Sequence, residues 1–427
     1  MEAVLNFIIS EIFGQGAIFL ALIACIGLIL QKKSFSEIVR GTVMTAVGFF
    51  VLSTGTGLIT GNSIDGISTA FNTVMPQAVP STTVDIGTEY GTEIGIVMIV
   101  AFAINVLVAR FTKWKSIFLT GHMLYWFPFV FIAAGVDAGL TGGKLIILAA
   151  IFTALYMIVS PNLMRPFVKE VTGDDSFTIG HPTTCLSVIS GLLGKAFGNK
   201  EHSTEDLKFP KSLGFLREIA ITGSITIAIT YIVMYFILIA NGQDPAVVWG
   251  YADGNTGIFT YIFTHAIYFG VGITIMLQGV RMLISEIVPA FQGIAEKVVP
   301  NAIPALDVPV IFPYAPNALL IGFMVAMVTS IVTILITGAA GIFPTVVIPL
   351  ISTCFFEIGC ASIVGNATGG VRGAIVGAAV SGIIAVFLVG FGAYFFNNTI
   401  QQWMLVYGGQ DFDLWGMVVG AVARLIA

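Results

Sequence analysis

Long apolar blocks recur along the whole chain, and they constrain its fold more than any other feature. Each block has about 18 to 25 residues, the length at which an α-helix crosses roughly 30 Å of hydrocarbon. Only 10% of the 427 residues are charged, and the mean hydropathy is +0.98. Soluble domains carry about a quarter charged residues. The sequence therefore predicts an all-α, polytopic membrane protein in which residues 1–427 form a single transmembrane domain.

The blocks predict about eleven transmembrane helices, at residues 14–31, 41–61, 94–112, 116–136, 143–163, 215–240, 257–280, 318–338, 343–362, 373–396 and 412–427. The last of these is short. Residues 1–13 are predicted to lie along the membrane surface as an amphipathic helix.

The positions of the basic residues predict an orientation, because Lys and Arg concentrate on the cytoplasmic side of a membrane protein. With eleven spans, every basic residue except Lys144 falls on one side, including Arg424 near the C-terminus. The opposite side receives Asp65, Asp85, Glu89, Glu93, Asp137, Asp244, Asp253, Asp411 and Asp413. The N-terminus is therefore predicted to lie outside and the C-terminus in the cytoplasm.

Two apolar segments are too rich in helix breakers to be regular transmembrane helices. Residues 176–198 read SFTIGHPTTCLSVISGLLGKAFG, and residues 298–317 contain five prolines. Irregular backbone at membrane depth survives only when it is buried in protein or lines a wet cavity. Both are predicted to be re-entrant hairpins, and broken segments of this kind mark the solute site of a transporter. The alternative is a pair of hydrophobic cytoplasmic loops.

Polar residues inside these apolar segments are the candidates for solute binding, since charge at membrane depth is costly. Asp307 would accept hydrogen bonds from solute hydroxyls or cap a half-helix. Tyr125 and Trp126 follow His122 by three and four residues, so the three side chains lie on roughly the same face of a helix. Aromatic rings beside an imidazole suit a flat, hydroxylated ring. His181, followed by Pro182, Thr183 and Thr184, precedes a half-helix whose free N–H groups suit an anionic oxygen. Each histidine also has a purely structural interpretation.

Other polar residues carry weaker predictions. His265 lacks such neighbours and is predicted to be structural, whereas His202 is predicted to be solvated. Glu357 is either a proton-coupling carboxylate or a helix-packing hydrogen-bonding group. Cys25, Cys185, Cys354 and Cys360 have no metal-ligand spacing and are predicted to be reduced packing residues.

Several functional classes are disfavoured by what the sequence lacks. The net charge of −5 argues against a nucleic-acid partner. There is no Walker loop, GxSxG elbow or HExxH zinc motif, so neither a catalytic residue nor a metal ligand is predicted. No cofactor is predicted either. These observations indicate a carrier of a small polar solute.

Six short motifs resemble the ascorbate-type IIC subunit of the bacterial phosphotransferase system, within the galactitol/ascorbate superfamily. They occur in the same order over nearly the whole chain, as LTGH at 119–122, FTIGH at 177–181, KEHSTEDLKFP at 200–210, QGVRM at 278–282, YAPNA at 314–318 and FF…GNATGGVRGA at 355–374.

This resemblance implies a multi-pass homodimer in the bacterial plasma membrane, with a core domain and a dimerising domain that carries V-shaped motifs. It implies that L-ascorbate is translocated by an elevator-like movement and phosphorylated by a separate IIB protein, with IIA upstream. The chain would then be one membrane subunit of a protein-Npi-phosphohistidine–sugar phosphotransferase complex, without a phosphorylation site of its own. Its charged linker at 195–217 is either the IIB docking surface or a solvated loop.

The resemblance assigns the solute contacts to specific residues of this chain. They are His122, Met123, Leu124, Tyr125, Trp126, His181, Pro182, Thr183 and Asp307, with a looser match around Ser81, Thr82 and Thr83. Pro182 and Trp126 stand where the family typically has glutamine, so a related sugar acid, a pentitol or a galactitol-like polyol is an alternative solute. An ion-coupled secondary transporter and an intramembrane enzyme using a histidine base are the rival classes.

Overall fold

The computed structural model describes residues 7, 11–12, 15–74, 84, 86–207, 218–251, 257–343, 347 and 349–427. In these ranges the protein is almost entirely helical, which confirms the predicted all-α class. The α-helices are α1 Gly16–Leu30, α2 Phe35–Ile59, α3 Asp65–Val74, α4 Ile86–Glu89, α5 Gly91–Phe111, α6 Gly121–Asp137, α7 Gly142–Thr172, α8 Thr184–Phe197, α9 Ile219–Ala240, α10 Pro245–Val248, α11 Ile258–Lys297, α12 Pro316–Ala339, α13 Ile351–Gly392, α14 Gln401–Tyr407 and α15 Asp411–Ile426. The strands are β1 Ser116–Phe118, β2 Thr178–Ile179 and β3 Ile303–Leu306.

Seven helices of the described residues are long and apolar enough to cross a membrane, which confirms a polytopic membrane protein. These stretches are Phe35–Phe71, Gly91–Phe111, Gly142–Thr172, Gly223–Ala240, Ile258–Phe291, Pro316–Ala339 and Ile351–Phe396. The total of eleven spans stays a prediction. The predicted surface helix at 1–13 falls almost wholly outside the described residues. The four cysteines are unpaired, in agreement with their predicted role as packing residues.

Helix α13 reverses direction at Gly370 and so supplies two arms, which match the two spans predicted at 343–362 and 373–396. Gly370 has φ +63°, and a Cβ there would lie 2.2 Å from the carbonyl oxygen of Asn199. A Cβ on Gly365 would lie 2.5 Å from the carbonyl oxygen of Gly373. Residues eight apart in one straight helix would be about 12 Å apart. Only glycine allows this turn and this close contact of the two arms.

The three strands form one small parallel sheet in the order β1-β3-β2. Ser116 pairs with Ile303, and Thr178 pairs with Ala305. The predicted helical span 116–136 is therefore wrong in its first residues, and helix α6 begins only at Gly121. The extended backbone of β3 needs partners in an apolar interior, and the two flanking strands provide them.

Each of the two proline- and glycine-rich segments combines a strand with a short helix. Residues 176–198 contain β2 followed by α8, whose 14 residues span about 21 Å, less than a bilayer's hydrocarbon core. Residues 298–317 contain β3 and then a 3₁₀-helix over Val308–Tyr314. Neither segment is one continuous helix. Their path as re-entrant hairpins stays a prediction.

The C-terminal end of helix α15 lies on the same face of the protein as the loop between α6 and α7. Arg424 Nη2 is 3.7 Å from Asp137 Oδ1, and Lys144 Nζ donates to the carbonyl oxygen of Ile426 at 2.9 Å. The predicted placement of Arg424 opposite Asp137 and Lys144 is therefore wrong. The prediction treats 412–427 as a full span, which carries Arg424 across the membrane. In the structure α15 has only 16 residues and starts inside the protein.

Asp411 and Asp413 at the start of α15 are buried, with 1% and 0% of their surface exposed. Their predicted position on the outer face is therefore wrong as well. The sequence around them, YGGQDFD, is short and polar enough to resemble a solvated turn. Which face of the membrane each chain end occupies stays a prediction.

The charged segment after α8 is fixed to the helices beside it. The side-chain oxygen of Asn366 accepts a hydrogen bond from the Thr204 N–H at 2.9 Å. Glu205 accepts one from the Ala318 N–H at 3.1 Å, at the start of α12. Residues 199–207 are therefore held against neighbouring helices. Their hydrogen bonds connect the motif at 200–210 with the motifs at 314–318 and 355–374. Residues 208–217 of the predicted linker lie outside the described residues.

Candidate solute-binding site

Three predicted site residues meet where the three parallel strands end. His181 follows β2 by two residues, and Asp307 follows β3 directly. His122 lies just beyond β1, in the first turn of α6. The carboxyl ends of parallel strands share one edge of a sheet, and ligands bind at that edge in many α/β proteins. The same geometry here collects residues that are up to 185 positions apart in sequence, from 122 to 307.

Asp307 lies between the two imidazoles. Its Oδ1 is 3.5 Å from His181 Nε2, and its Oδ2 is 3.8 Å from His122 Nδ1. Asp307 Oδ1 also accepts a hydrogen bond from the Val308 N–H at 2.7 Å, at the start of the 3₁₀-helix. Both roles considered for Asp307 are thus compatible, because it caps the short helix and still presents Oδ2 to the cavity.

These three residues also form a set of potential metal ligands. Two imidazole nitrogens and a carboxylate oxygen lie within 4.8 Å of one another. Such a donor set suits Zn²⁺ or another divalent transition metal. The same atoms are hydrogen-bonding groups for hydroxyls, and no other residue of the described chain adds a cysteine or histidine to the set.

The three residues open into a cavity of about 660 Å³. Its lining in the described part of the chain combines a polar edge with a large apolar surface and contains no Lys or Arg. The lining residues are Phe49, Leu52, Ser53, Gly57, His122, Met123, Trp126, His181, Asp307, Val308, Pro309, Ser352, Thr353, Phe356, Glu357, Trp403, Tyr407, Gln410 and Phe412. A cavity of this size and make-up holds a small organic solute.

Aromatic rings from α6, α14 and α15 form one wall of the cavity. The ring centroids of Trp126 and Trp403 are 5.2 Å apart, and those of Trp403 and Phe412 are 5.5 Å apart. Met123 also lines the cavity. A flat or ring-shaped solute would pack against this wall while its polar groups face the histidines.

Two residues of the predicted 122–126 stretch do not line the cavity. Leu124 is fully buried in the core. Tyr125 packs its ring against Phe129 at 6.0 Å and meets Trp126 edge-on at 5.2 Å. Tyr125 therefore supports Trp126 from behind. The helical spacing predicts that both rings contact the solute, whereas only Trp126 lines the cavity.

The turn that carries His181 is held by buried residues from α7 and α15. The Tyr156 hydroxyl lies 3.0 Å from the carbonyl oxygen of His181 and 2.8 Å from Asp411 Oδ2. The Asp411 N–H donates to the carbonyl oxygen of Pro182 at 3.2 Å. The Thr183 hydroxyl donates to the backbone carbonyl oxygen of Glu357 at 2.8 Å. Pro182 and Thr183 thus fix the turn and do not line the cavity.

Glu357 from the first arm of α13 supplies a second carboxyl group to the described lining of the cavity. Its Oε1 is 3.7 Å from His181 Nδ1, and only 7% of the residue surface is exposed. The sequence left its role open between proton coupling and helix packing, and the structure places it in the lining. Ser81, Thr82 and Thr83 lie outside the described residues.

Sequence reasoning missed several members of the site. The cavity is lined by Trp403, Tyr407 and Gln410, from the predicted loop before the last span, and by Phe412, the first residue of that predicted span. The available sequence signal was the spacing of Trp403 and Tyr407 by four residues, which places both rings on one face of a helix.

Comparison with known proteins identifies the chain. A family model described as "PTS system sugar-specific permease component" matches residues 11–410. The chain belongs to this family. This permease is a multi-pass IIC subunit of the galactitol/ascorbate type, and the family works with IIA and IIB phosphotransfer partners.

The permease is also similar to a curated relative. The ascorbate-specific PTS system EIIC component of Mycoplasma pneumoniae is 26% identical to it over 450 residues, an alignment that covers 94% of this chain and 68% of the relative. The family resemblance inferred from the short motifs is thereby confirmed.

Proposed function

We propose that the permease translocates L-ascorbate or a related sugar acid across the bacterial plasma membrane. The observation that carries the proposal is the convergence of His122, His181 and Asp307 on one cavity with an aromatic wall. The relative from Mycoplasma pneumoniae, which is named as ascorbate-specific, supports the choice of solute.

Each part of the cavity has a role with such a solute. Asp307 accepts hydrogen bonds from solute hydroxyls, and the two imidazoles donate to or accept from ring oxygens. The ring face packs on Trp126 and Trp403. Because the lining combines hydrogen-bonding side chains with aromatic rings, the cavity favours a flat molecule that carries several oxygens.

The chain supplies binding and translocation, and a partner supplies the chemistry. A separate phosphorylated IIB protein donates its phosphoryl group to the solute at the cytoplasmic side, with IIA upstream. The phosphorylated product carries added charge and no longer fits the cavity, so transport is unidirectional. The permease acts as a homodimer in which a core domain moves like an elevator.

A galactitol-like polyol is the second candidate solute. Trp126 and Pro182 stand where the family typically has glutamine, so two amide hydrogen-bonding groups are missing from this chain. Galactitol is acyclic and has no planar ring, so the absence of groups expected to contact the ring of ascorbate counts against ascorbate and leaves a polyol as the alternative. The transport role and the IIB partner are the same for both solutes.

Calorimetry with purified full-length permease distinguishes the two solutes. We expect L-ascorbate to bind and galactitol to bind at least about tenfold more weakly, a difference of about 1.4 kcal/mol. The variants His181→Asn and Asp307→Asn should each lose binding, whereas His265→Asn should bind as wild type because His265 packs on Tyr261 away from the cavity. Unchanged affinity in both site variants would contradict the assignment.

Uptake into vesicles tests whether transport is coupled to phosphoryl transfer from IIB. We expect accumulation of solute phosphate only when phosphorylated IIB is present inside. Accumulation of free solute driven by a proton or sodium gradient, without IIB, would instead indicate an ion-coupled secondary transporter.

A further inference from the structure

Helix α2 contributes part of the cavity lining, although none of the predicted solute contacts lies on it. Phe49, Leu52, Ser53 and Gly57 line the cavity from this helix. Positions 49, 53 and 57 are four residues apart and therefore lie on one face of α2, with position 52 beside them. The aromatic ring of Phe49 is the largest group on this face.

The direction of this face is fixed by the packing of α2 on α11. A Cβ added to Gly48 would lie 2.7 Å from the backbone nitrogen of Leu283, and a Cβ added to Gly55 would overlap the backbone of Met276. Small residues at such positions let two helix backbones approach closely. Because the two backbones touch, α2 is held in one rotation about its axis, and Phe49 is held towards the cavity.

The Phe49 ring is also held next to the helix turn that carries His122. A Cβ added to Gly16, the first residue of α1, would lie 2.6 Å from Cζ of Phe49. On its other side, Gly16 contacts Gly121, because a Cβ added to Gly121 would lie 2.7 Å from the Cα of Gly16. Gly121 immediately precedes His122 in α6. The ring and the imidazole are therefore positioned through the same glycine contact.

A second cavity of about 10 Å³ adjoins the solute cavity. Phe49, Leu52, His122 and Asp307 line both the second cavity and the solute cavity of about 660 Å³. The second cavity is also lined by Leu20 of α1. Removal of the Phe49 ring would therefore enlarge the solute cavity and join it to the space beside α1.

We propose that Phe49 is a specificity-determining residue whose ring limits the size of the solute. This inference rests on the proposed function, because it takes the cavity as the solute site. The polar side chains of the lining can bind many hydroxylated molecules, whereas an apolar ring in a fixed position selects by volume. The cavity then admits a solute with one small ring and excludes the same ring with an added alkyl group.

Two ethers of L-ascorbate test the size limit, one with an ethyl group on the 2-oxygen and one with an ethyl group on the 6-oxygen. Calorimetry on the purified full-length permease gives the affinities. Wild type should bind each ether at least about tenfold more weakly than L-ascorbate. Phe49→Ala should bind at least one ether within about threefold of L-ascorbate, because the added group enters the space that the ring leaves.

Two further substitutions at the same position give a graded series. Phe49→Leu keeps an apolar side chain of smaller volume, so its discrimination against that ether should lie between those of wild type and Phe49→Ala. Phe49→Trp adds volume, and it should bind L-ascorbate itself about tenfold more weakly than wild type. Phe49→Leu decides the question if Phe49→Ala does not yield folded protein.

Phe50→Ala is the matched control on the same helix. The Phe50 side chain is 60% exposed on the surface of the described structure and does not line the cavity. This variant loses the same number of atoms as Phe49→Ala. It should keep both the wild-type affinity for L-ascorbate and the wild-type discrimination against the ethers.

Several results would overturn the inference. One is equal binding of L-ascorbate and both ethers by wild type. Another is unchanged discrimination in Phe49→Ala and Phe49→Leu, and a third is an equal loss of affinity for all three solutes, because the ring would then not act on size. Each of these leaves the proposed function intact. Failure of wild type to bind L-ascorbate would contradict the proposed solute, and the same variants with galactitol and its 1-O-ethyl ether would then decide the role of Phe49.

Discussion

The side chain of Asp411 accepts a hydrogen bond from the backbone N–H of Thr184 at 2.9 Å, although 227 residues separate them in sequence. The next N–H, that of Cys185, donates to the other oxygen of Asp411 at 2.9 Å. Both N–H groups lie at the start of α8, where the helix itself supplies no acceptor for them. The half-helix predicted to offer its N-terminus to an anionic solute is therefore capped by a carboxylate of the protein itself.

Replacing Asp411 by alanine should weaken both stability and solute binding. The change removes the cap of α8 and leaves two buried N–H groups unpaired, at a cost of roughly 1–3 kcal/mol. The His181 turn next to them loses its support, so the affinity for the solute should fall by about tenfold. Thermal unfolding and calorimetry on the purified protein measure the two effects.

Asp244 provides the matched control for this prediction. It caps the short helix α10 by accepting a hydrogen bond from the Ala246 N–H at 2.9 Å, and it lies outside the cavity. Asp244→Ala should lower stability by about 1 kcal/mol and leave solute affinity unchanged. Equal losses of affinity in both variants would mean that Asp411 acts only through global stability.

Tyr156 should affect solute binding through one hydroxyl group. Its oxygen bridges His181 and Asp411, so Tyr156→Phe should loosen the turn and lower affinity about three- to tenfold. Tyr231→Phe removes another buried hydroxyl, which donates to the carbonyl oxygen of Ser63 at 2.8 Å, far from the cavity. We expect a similar loss of stability in both variants by thermal unfolding, with an affinity change only in Tyr156→Phe.

Glu205→Gln should destabilise the protein at the N-terminal end of α12. The carboxylate accepts from the N–H groups of Asn317 and Ala318, and a negative charge at a helix start is favourable. The expected cost is about 0.5–1 kcal/mol, seen as a lower melting temperature. Glu201→Gln in the same segment changes an exposed side chain and should melt as wild type. The reverse order of melting temperatures would contradict the capping role.

The ion pair between Arg165 and Asp175 should contribute a pH-dependent stability. Two hydrogen bonds of 2.8 Å from the Arg165 guanidinium lower the pKa of the Asp175 carboxyl group. Because the folded-state pKa is lowered, the stabilisation is present above the ordinary pKa of about 4 and is lost as pH falls through the folded value. Both side chains are about one-third exposed, so solvent screening limits the effect to about 0.2–1 kcal/mol.

Thermal unfolding of Asp175→Asn against wild type checks this window. The variant should melt lower near pH 7, and the difference should shrink as the pH falls below about 4. A difference that persists in acid would point to packing in place of charge.

The apolar blocks predicted the all-α class because the length of a membrane-crossing helix is set by the bilayer and not by the details of packing. The same rule failed for Ser116–Phe118 and for α15, where apolar residues are buried against protein. Apolar composition alone cannot distinguish a strand or half-helix inside the protein from the end of a full span.

The site was predictable to the extent that it depended on costly polar groups at membrane depth. His122, His181 and Asp307 stand out in sequence for this reason, and the structure brings them together. Asp411 was missed because the acids of YGGQDFD look solvated when the backbone N–H groups that bind them come from a segment 227 residues away. Long-range hydrogen bonds of this kind have no periodicity that a sequence could display.

The small parallel sheet has a mechanical consequence. His122, His181 and Asp307 are attached to its three strands, and those strands are joined by backbone hydrogen bonds. Any displacement of the sheet as one piece carries all three side chains with it and keeps their mutual spacing. In the proposed transport cycle, a solute bound by these residues would therefore keep its contacts while the sheet moves.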